Sequence, residues 1–173
     1  REYLRGDDGI LAGWMSVTPL VHDVAMIKKE TLPTPARLHH ISYWLDDTQD
    51  ILRAADILKE NKHLLNKGGI MHCYGGSVEM VDQYLGLGLY ISLAGPVTFK
   101  NAKMPKEVAT YVPIDRLLID TDCPYLTPHP FRGKRNEPKM VELVAKEIAQ
   151  LRGISFEELA QKTMENTCRL LGI

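Results

Sequence analysis

Three side chains in this sequence stand at the ends of apolar runs, where parallel α/β proteins place their chemistry. The stretch "GGIMHCYGGS" carries His72 just after a short apolar run, and "LLIDTDCPY" ends in Asp120-Thr121-Asp122. Ligands collect at the C-terminal ends of such strands. Carboxylates crowded at one strand end repel each other and raise a pKa unless a cation lies between them, and a divalent metal is one remedy. An imidazole with carboxylates suits zinc, manganese, or magnesium with retained water. Each residue also has an ordinary reading. His72 is then a half-buried imidazole satisfied by backbone, Asp120 faces a loop donor, and Asp122 caps the following turn.

The loop after Asp122 adds a second feature. Pro124, Pro128 and Pro130 stiffen it, and Arg132, Lys134 and Arg135 make it cationic. Fixed guanidinium groups beside metal ligands match phosphate oxygens in pairs, and three cations suffice to clamp one or two phosphates. The same residues also read as a solvated face. The Gly75-Gly76 pair lets backbone approach a ligand closely, and a helix starting near Ser77 offers free N–H groups to an anion. A further ligand candidate is His39 or His40, in "ARLHHISYW". His22, His63 and His129 are weaker, although His129 lies in the loop itself.

These residues need elements to position them. From Lys67 onward short apolar runs alternate with helical periodicity, the pattern of repeated βα units and a parallel sheet. Strands are expected at 68–74, 89–95 and 115–120, and helices at 77–88, 104–113, 137–153 and 155–173. Met140, Val141, Val144, Ile148 and Leu151 mark one face of the third helix, with Gly153 as its C-cap. Ser155-x-x-Glu158 opens the last helix as a capping box. Before Lys67 the pattern is mixed, with a helix expected over 46–65 and a strand near 36–41. Three or four strands, each with its helix, amount to roughly half of a closed eight-stranded barrel.

Bulk composition narrows the function classes. A chain of 173 residues suits one domain, and its net charge of −1 gives no general pull toward nucleic acid or membrane. Any such contact has to come from a local patch. Three scattered cysteines, none at CxxC spacing, argue against a disulfide framework or a zinc knuckle. The sequence shows neither a signal-type apolar region nor an apolar run of 18 residues, so a soluble, cytoplasmic protein is the default expectation.

The stretches "GGIMHCYGGSVEMVDQYLGLGLYISLAGPVTFKNAK", "DRLLIDTDCPYLTPHPFRGKRNEP" and "MENTCRLLGI" resemble the TatD family of metal-dependent hydrolases, almost continuously from about Lys67 to Ile173. The resemblance implies a TIM (β/α)8 barrel, incomplete here on its N-terminal side, with one or two divalent metals (Mg, Mn or Zn) at the strand ends. It also implies a deoxyribonuclease, in some members a 3′ to 5′ exonuclease on single-stranded DNA. Relatives assigned to D-aminoacyl-tRNA deacylation supply an ester-cleaving alternative. By the same resemblance His72 and Asp122 are metal ligands, and Asp122 orients or deprotonates the attacking water. Asp120 stands where the family usually has glutamate, and Gly76 where many members have serine. His40 fits a third ligand by its distance from Asp47-Thr48. Arg132, Lys134, Arg135 and Tyr74 are placed near the substrate. The family's early His-x-His and its "GEIGLD"-type glutamate have no counterpart in this sequence, which raises a catalytically inactive, truncated barrel module as a further alternative.

Overall fold

The structure, a computed structural model, describes residues 68–173 in full, the backbone of four strands between residues 2 and 41, and residues 56, 59–60 and 62–64. The chain divides into two units, Arg1–Asp56 and Ile57–Ile173.

In the first unit β1 (Glu2–Gly6), β2 (Gly9–Met15), β3 (Val24–Ile27) and β4 (Arg37–Ile41) form an antiparallel sheet in sequence order. Gly6 pairs directly with Gly9 across the first link, as a hairpin requires. The strand expected near 36–41 is therefore present, but it belongs to a meander and not to a βα repeat. Parallel neighbours need crossovers of a dozen residues or more, and the links between these strands are shorter. Of the helix expected over 46–65, Asp56, Lys59 and Glu60 are helical and Lys62–Leu64 form a 3-10 turn. Its other residues lie outside the described ones.

The second unit carries the βα repetition expected from Lys67 onward. Strands β5 (Gly69–Met71), β6 (Leu89–Leu93) and β7 (Leu117–Ile119) form a parallel sheet in that order. Helix α1 (Val78–Gly86) links β5 to β6, and α2 (Lys103–Tyr111) links β6 to β7. Helices α3 (Val141–Arg152) and α4 (Phe156–Leu171) follow. The strands are shorter than their apolar runs. Cys73, in the left-handed region at φ 47°, takes the chain off the ladder after Met71. A 3-10 turn at Ile114–Arg116 delays the start of β7.

Strand β6 is buried along its whole length, which is why "LYISL" is almost entirely apolar: a central parallel strand is covered on both faces. Val81 of α1, Val108 of α2, Leu117 of β7, Val144 and Ile148 of α3, and Leu159 of α4 complete a core in which each is 0% exposed. The helix ends follow the sequence signals. Gly153 ends α3 in the left-handed conformation, and Ser155 Oγ accepts the Glu158 N–H at 3.0 Å. Ser77 occupies the N-cap of α1 without a capping bond from its side chain. On α4 the buried Asn166 amide donates to the carbonyls of Ile114 and Leu117 at 2.7 and 2.8 Å, pinning the helix to the start of β7.

After β6 the chain turns through Gly95–Thr98, and the loop that follows β7 rests on this turn. Thr98 Oγ1 accepts the His129 N–H at 2.8 Å. At Gly95 a β-carbon would lie 1.8 Å from the Leu126 carbonyl oxygen, so only glycine permits the approach. Because the obstacle is backbone, Gly95→Ala is expected to lower stability by about 1–3 kcal/mol. Urea unfolding measures this, and an unchanged midpoint would mean that the loop is not seated there.

Candidate metal centre

The C-terminal ends of parallel strands lie along one sheet edge. At that edge β5 delivers His72, and β7 delivers Asp120 and then Asp122. The imidazole lies between the two carboxylates, with Nδ1 3.1 Å from Asp120 Oδ2 and Nε2 3.0 Å from Asp122 Oδ1. Asp120 is the deeper group, at 16% exposure against 32% for Asp122. Its Oδ2 also accepts the Cys73 N–H at 3.1 Å and the hydroxyl of Ser92 from β6. Its Oδ1 is buried and has no hydrogen-bond partner among the described residues.

These contacts set the charges. The hydrogen bond to Asp120, opposed by burial and aided by Asp122, lifts the His72 pKa to about 9. Burial pushes Asp120 upward, but hydrogen bonds from His72 and Ser92 outweigh it and hold the carboxyl below its usual range. Burial, reinforced by the charges of Asp122 and Asp120, pushes the Cys73 thiol up to about 12, so it stays protonated at neutral pH.

Asp120 thus does for His72 what a carboxylate does behind a metal-bound histidine. It accepts the Nδ1–H hydrogen bond, fixes the tautomer and aims Nε2 outward. A carboxylate oxygen already waits 3.0 Å away, and a proton or a metal ion has to separate the two acceptors. The nitrogen–oxygen pair of His72 Nε2 and Asp122 Oδ1 has the donor chemistry a divalent cation takes. The described residues offer two candidate ligands, and no group of three or more His, Cys, Asp or Glu among them is arranged to hold a metal ion.

Asp122 is held in an unusual backbone conformation, with φ 55°. Non-glycine residues reach this region at a cost of about 1–3 kcal/mol, and the surroundings must impose it. Asn136, 2% exposed, is the clamp. Its side-chain amide donates to the carbonyls of Thr121 and Tyr125, both at 2.6 Å, and its backbone N–H donates to Pro124 at 3.1 Å. Both flanks of Asp122 are thereby tied to one side chain. Asn136, Ser92 and Gly95 carry no sequence signal that marks them as site residues. At Asn136 the sequence offers only a lone amide before Glu137-Pro138 in an otherwise charged stretch.

The other residues proposed from the sequence fall in different places. Arg132 lies 4.4 Å over the Phe99 ring and, with Lys134, lines a groove beside the Asp122 turn. Arg135 sits near Glu137 instead, where it helps Lys139 hold that carboxyl below its usual range. Tyr74 is 8% exposed and donates its hydroxyl to the Ser77 carbonyl at 2.8 Å, a placement that suits packing and not substrate contact. His40 is on β4 of the first unit, and its side chain lies outside the described residues. Among the described residues no helix is long and apolar enough to cross a membrane.

Comparison with known proteins gives the family. Residues 30–172 match the family model described as TatD related DNase, and the chain belongs to that family. It is 49% identical over 152 residues to an uncharacterized metal-dependent hydrolase, YabD, of Bacillus subtilis, covering 88% of this chain and 56% of that protein. It is 50% identical over 117 residues to another, YcfH of Escherichia coli, covering 68% and 44%. The crystal structure of YJJV, a TatD homologue from Escherichia coli, superposes with a TM-score of 0.64 at 28% identity, over 70% of this chain and 46% of that one. The chain spans about half the length of the curated relatives it matches.

Two outcomes are expected. In protein stripped of metal, the raised His72 pKa contributes stability that is complete below about 6.5 and is lost as pH rises through about 9. Thermal midpoints should fall across that window, and His72→Asn should flatten the decline; parallel profiles for the two proteins would contradict the ion pairs. Asn136→Ala should weaken Mn2+ binding about 10–100-fold by calorimetric titration. Asn166→Ala, which removes a similar double-carbonyl clamp at the start of β7, should lower stability and leave Mn2+ affinity unchanged. Equal affinity losses in both variants would reduce Asn136 to a general stabiliser.

Proposed function

We propose that this chain takes part in metal-dependent hydrolysis of phosphodiester bonds, with DNA as the substrate class. The observation that carries the reading is the approach of His72 Nε2 to Asp122 Oδ1 at 3.0 Å, with Asp120 fixed behind the ring. His72 Nε2 and Asp122 would hold the cation. When bound, a divalent ion supplies a water of lowered pKa and neutralises charge on the phosphate. Asp122, at 32% exposure, can take the proton of an attacking water, and Asp120 keeps the imidazole from turning away. Arg132 and Lys134 carry positive charge on the same loop and suit the phosphate oxygens. Cleavage from the 3′ end of single strands, in a cytoplasmic setting, is the finer form of this proposal.

The loop cations favour a phosphodiester over the alternative substrate, an aminoacyl-tRNA ester. An aminoacyl group brings its own ammonium, which Arg132 and Lys134 repel, whereas a phosphodiester brings a negative charge. Single-stranded DNA and a D-aminoacyl-tRNA, offered in parallel with Mn2+ or with chelator, test the choice. Metal-dependent DNA cleavage is expected, lowered about 10²–10⁴-fold by Asp122→Ala. Cleavage of the tRNA ester alone would transfer the assignment. An absence of divalent-cation binding would leave the inactive module.

A further inference from the structure

We propose that helix α4 pairs antiparallel with the same helix of a second copy of this chain, through a seam of exposed side chains. The helix runs for 16 residues, about four turns, and its unit uses one side of it. Leu159, Thr163 and Asn166 are buried there, and Asn166 ties that side to β7. On the opposite side Met164 is 60% exposed and Leu171 62%. Exposed apolar side chains scattered singly are ordinary, but these two belong to a pattern.

Gln161, Met164, Cys168 and Leu171 follow one another at intervals of three, four and three residues. That is the seam spacing of a coiled coil, which keeps a facing helix in contact over successive turns. Gln161 is exposed and Cys168 half-buried, so all four side chains reach the surface. Ala160 and Thr167 flank the seam on one side and are small enough to let a second backbone come close.

The other flank selects the occupant. Glu158, Lys162, Glu165 and Arg169 lie along it in the order acid, base, acid, base. Read from the other end, the order is base, acid, base, acid. In an antiparallel pair this flank faces its own copy, so Glu158 meets Arg169 of the second chain and Lys162 meets Glu165, each contact made twice. Met164 then lies at the twofold axis, against itself, and Gln161 lies opposite Cys168. A parallel pair would set the charges against Ala160 and Thr167 and lose all four contacts. Within one chain these charges make only surface contacts. Lys162 reaches Glu165 at 3.1 Å, Gln161 donates to Glu165 at 2.9 Å, and Arg169 donates to the Asp115 carbonyl at 3.3 Å. Contacts of that kind are weak and exchange readily for others across an interface.

One helix pair is a small interface, so a dimer in the micromolar range is expected. Sedimentation equilibrium from about 5 to 500 µM reads its mass and dissociation constant. Wild type should approach twice the monomer mass at the upper end. Met164→Lys should weaken association about 30-fold or more, with the thermal midpoint of the dilute protein unchanged. Lys162→Glu should weaken it about tenfold, and adding Glu165→Lys, which restores opposite signs across the axis, should recover it. A monomer at every concentration would overturn the proposal. A dimer indifferent to Met164→Lys would place the contact on another face. A dimer lost with Met164→Lys but indifferent to Lys162→Glu would not be antiparallel, and either result overturns the pairing.

Discussion

His72 has a carboxylate oxygen at each ring nitrogen, 3.1 Å from Nδ1 and 3.0 Å from Nε2, and this is favourable only when something positive fills each gap. On the Asp120 side a proton fills it. That carboxylate is the more deeply buried, already accepts from Ser92 and the Cys73 backbone, and stays ionised as a result. On the Asp122 side the gap opens to solvent, and its occupant can exchange. A proton serves in the metal-free protein, and a divalent ion would displace it and release it to solution. The asymmetry between the two carboxylates, one enclosed and one at the surface, gives the pair a direction.

That asymmetry depends on the sheet. Parallel strands of matched register put His72, Ser92 and Asp120 at one edge, and β6, buried throughout, is the rigid middle. Asp120 N–H donates to Leu93 and Tyr74 N–H donates to Ser92, so the chain leaving each outer strand is tied to the central one. Asp122 lies beyond the ladder and needs other support. Its left-handed backbone is imposed by Asn136 from one side and by the Gly95–Thr98 turn, through Leu126 and His129, from the other. The strain sits where the reactive group sits, and hydrogen bonds made by residues with no chemistry of their own offset it.

Much of this was legible from residue types. Polar groups that end apolar runs must face either solvent or a site, and His72, Asp120 and Asp122 were visible for that reason. Helix ends were equally plain, because Gly153 and the Ser155 box act through local backbone bonds. What stayed hidden acts at long range. Ser92 sits in a run otherwise given over to burial, and its hydroxyl matters only because β7 lies alongside. Asn136 is one amide among charged neighbours until the loop folds back on Thr121 and Tyr125. Gly95 is one of 13 glycines, distinguished only by the carbonyl that comes to rest against it. In the sequence the cations after Asp122 form one cluster, yet the loop's path sends Arg132 and Lys134 to the groove and leaves Arg135 beside Glu137. The early strands misled in another way. Apolar content near 36–41 marks a strand, but its partner is set by link length, and short links make it antiparallel.

One turn, Asp122 to Tyr125, carries the junction of two regions of opposite sign. On one side two carboxylates outnumber a single imidazolium. On the other, Arg132 and Lys134 line a groove without an acidic group. Each region lacks a counter-charge, and a divalent ion with an anionic ester provides both. A cation beside Asp122 lowers the cost of bringing a phosphate to the turn, and a phosphate there lowers the cost of holding the cation. By linkage the two affinities must rise together. Neither region alone distinguishes a hydrolase from a charged surface. Their adjacency on a backbone that Asn136 ties at both flanks of Asp122 is the physical ground on which the proposed pairing of metal and phosphodiester rests.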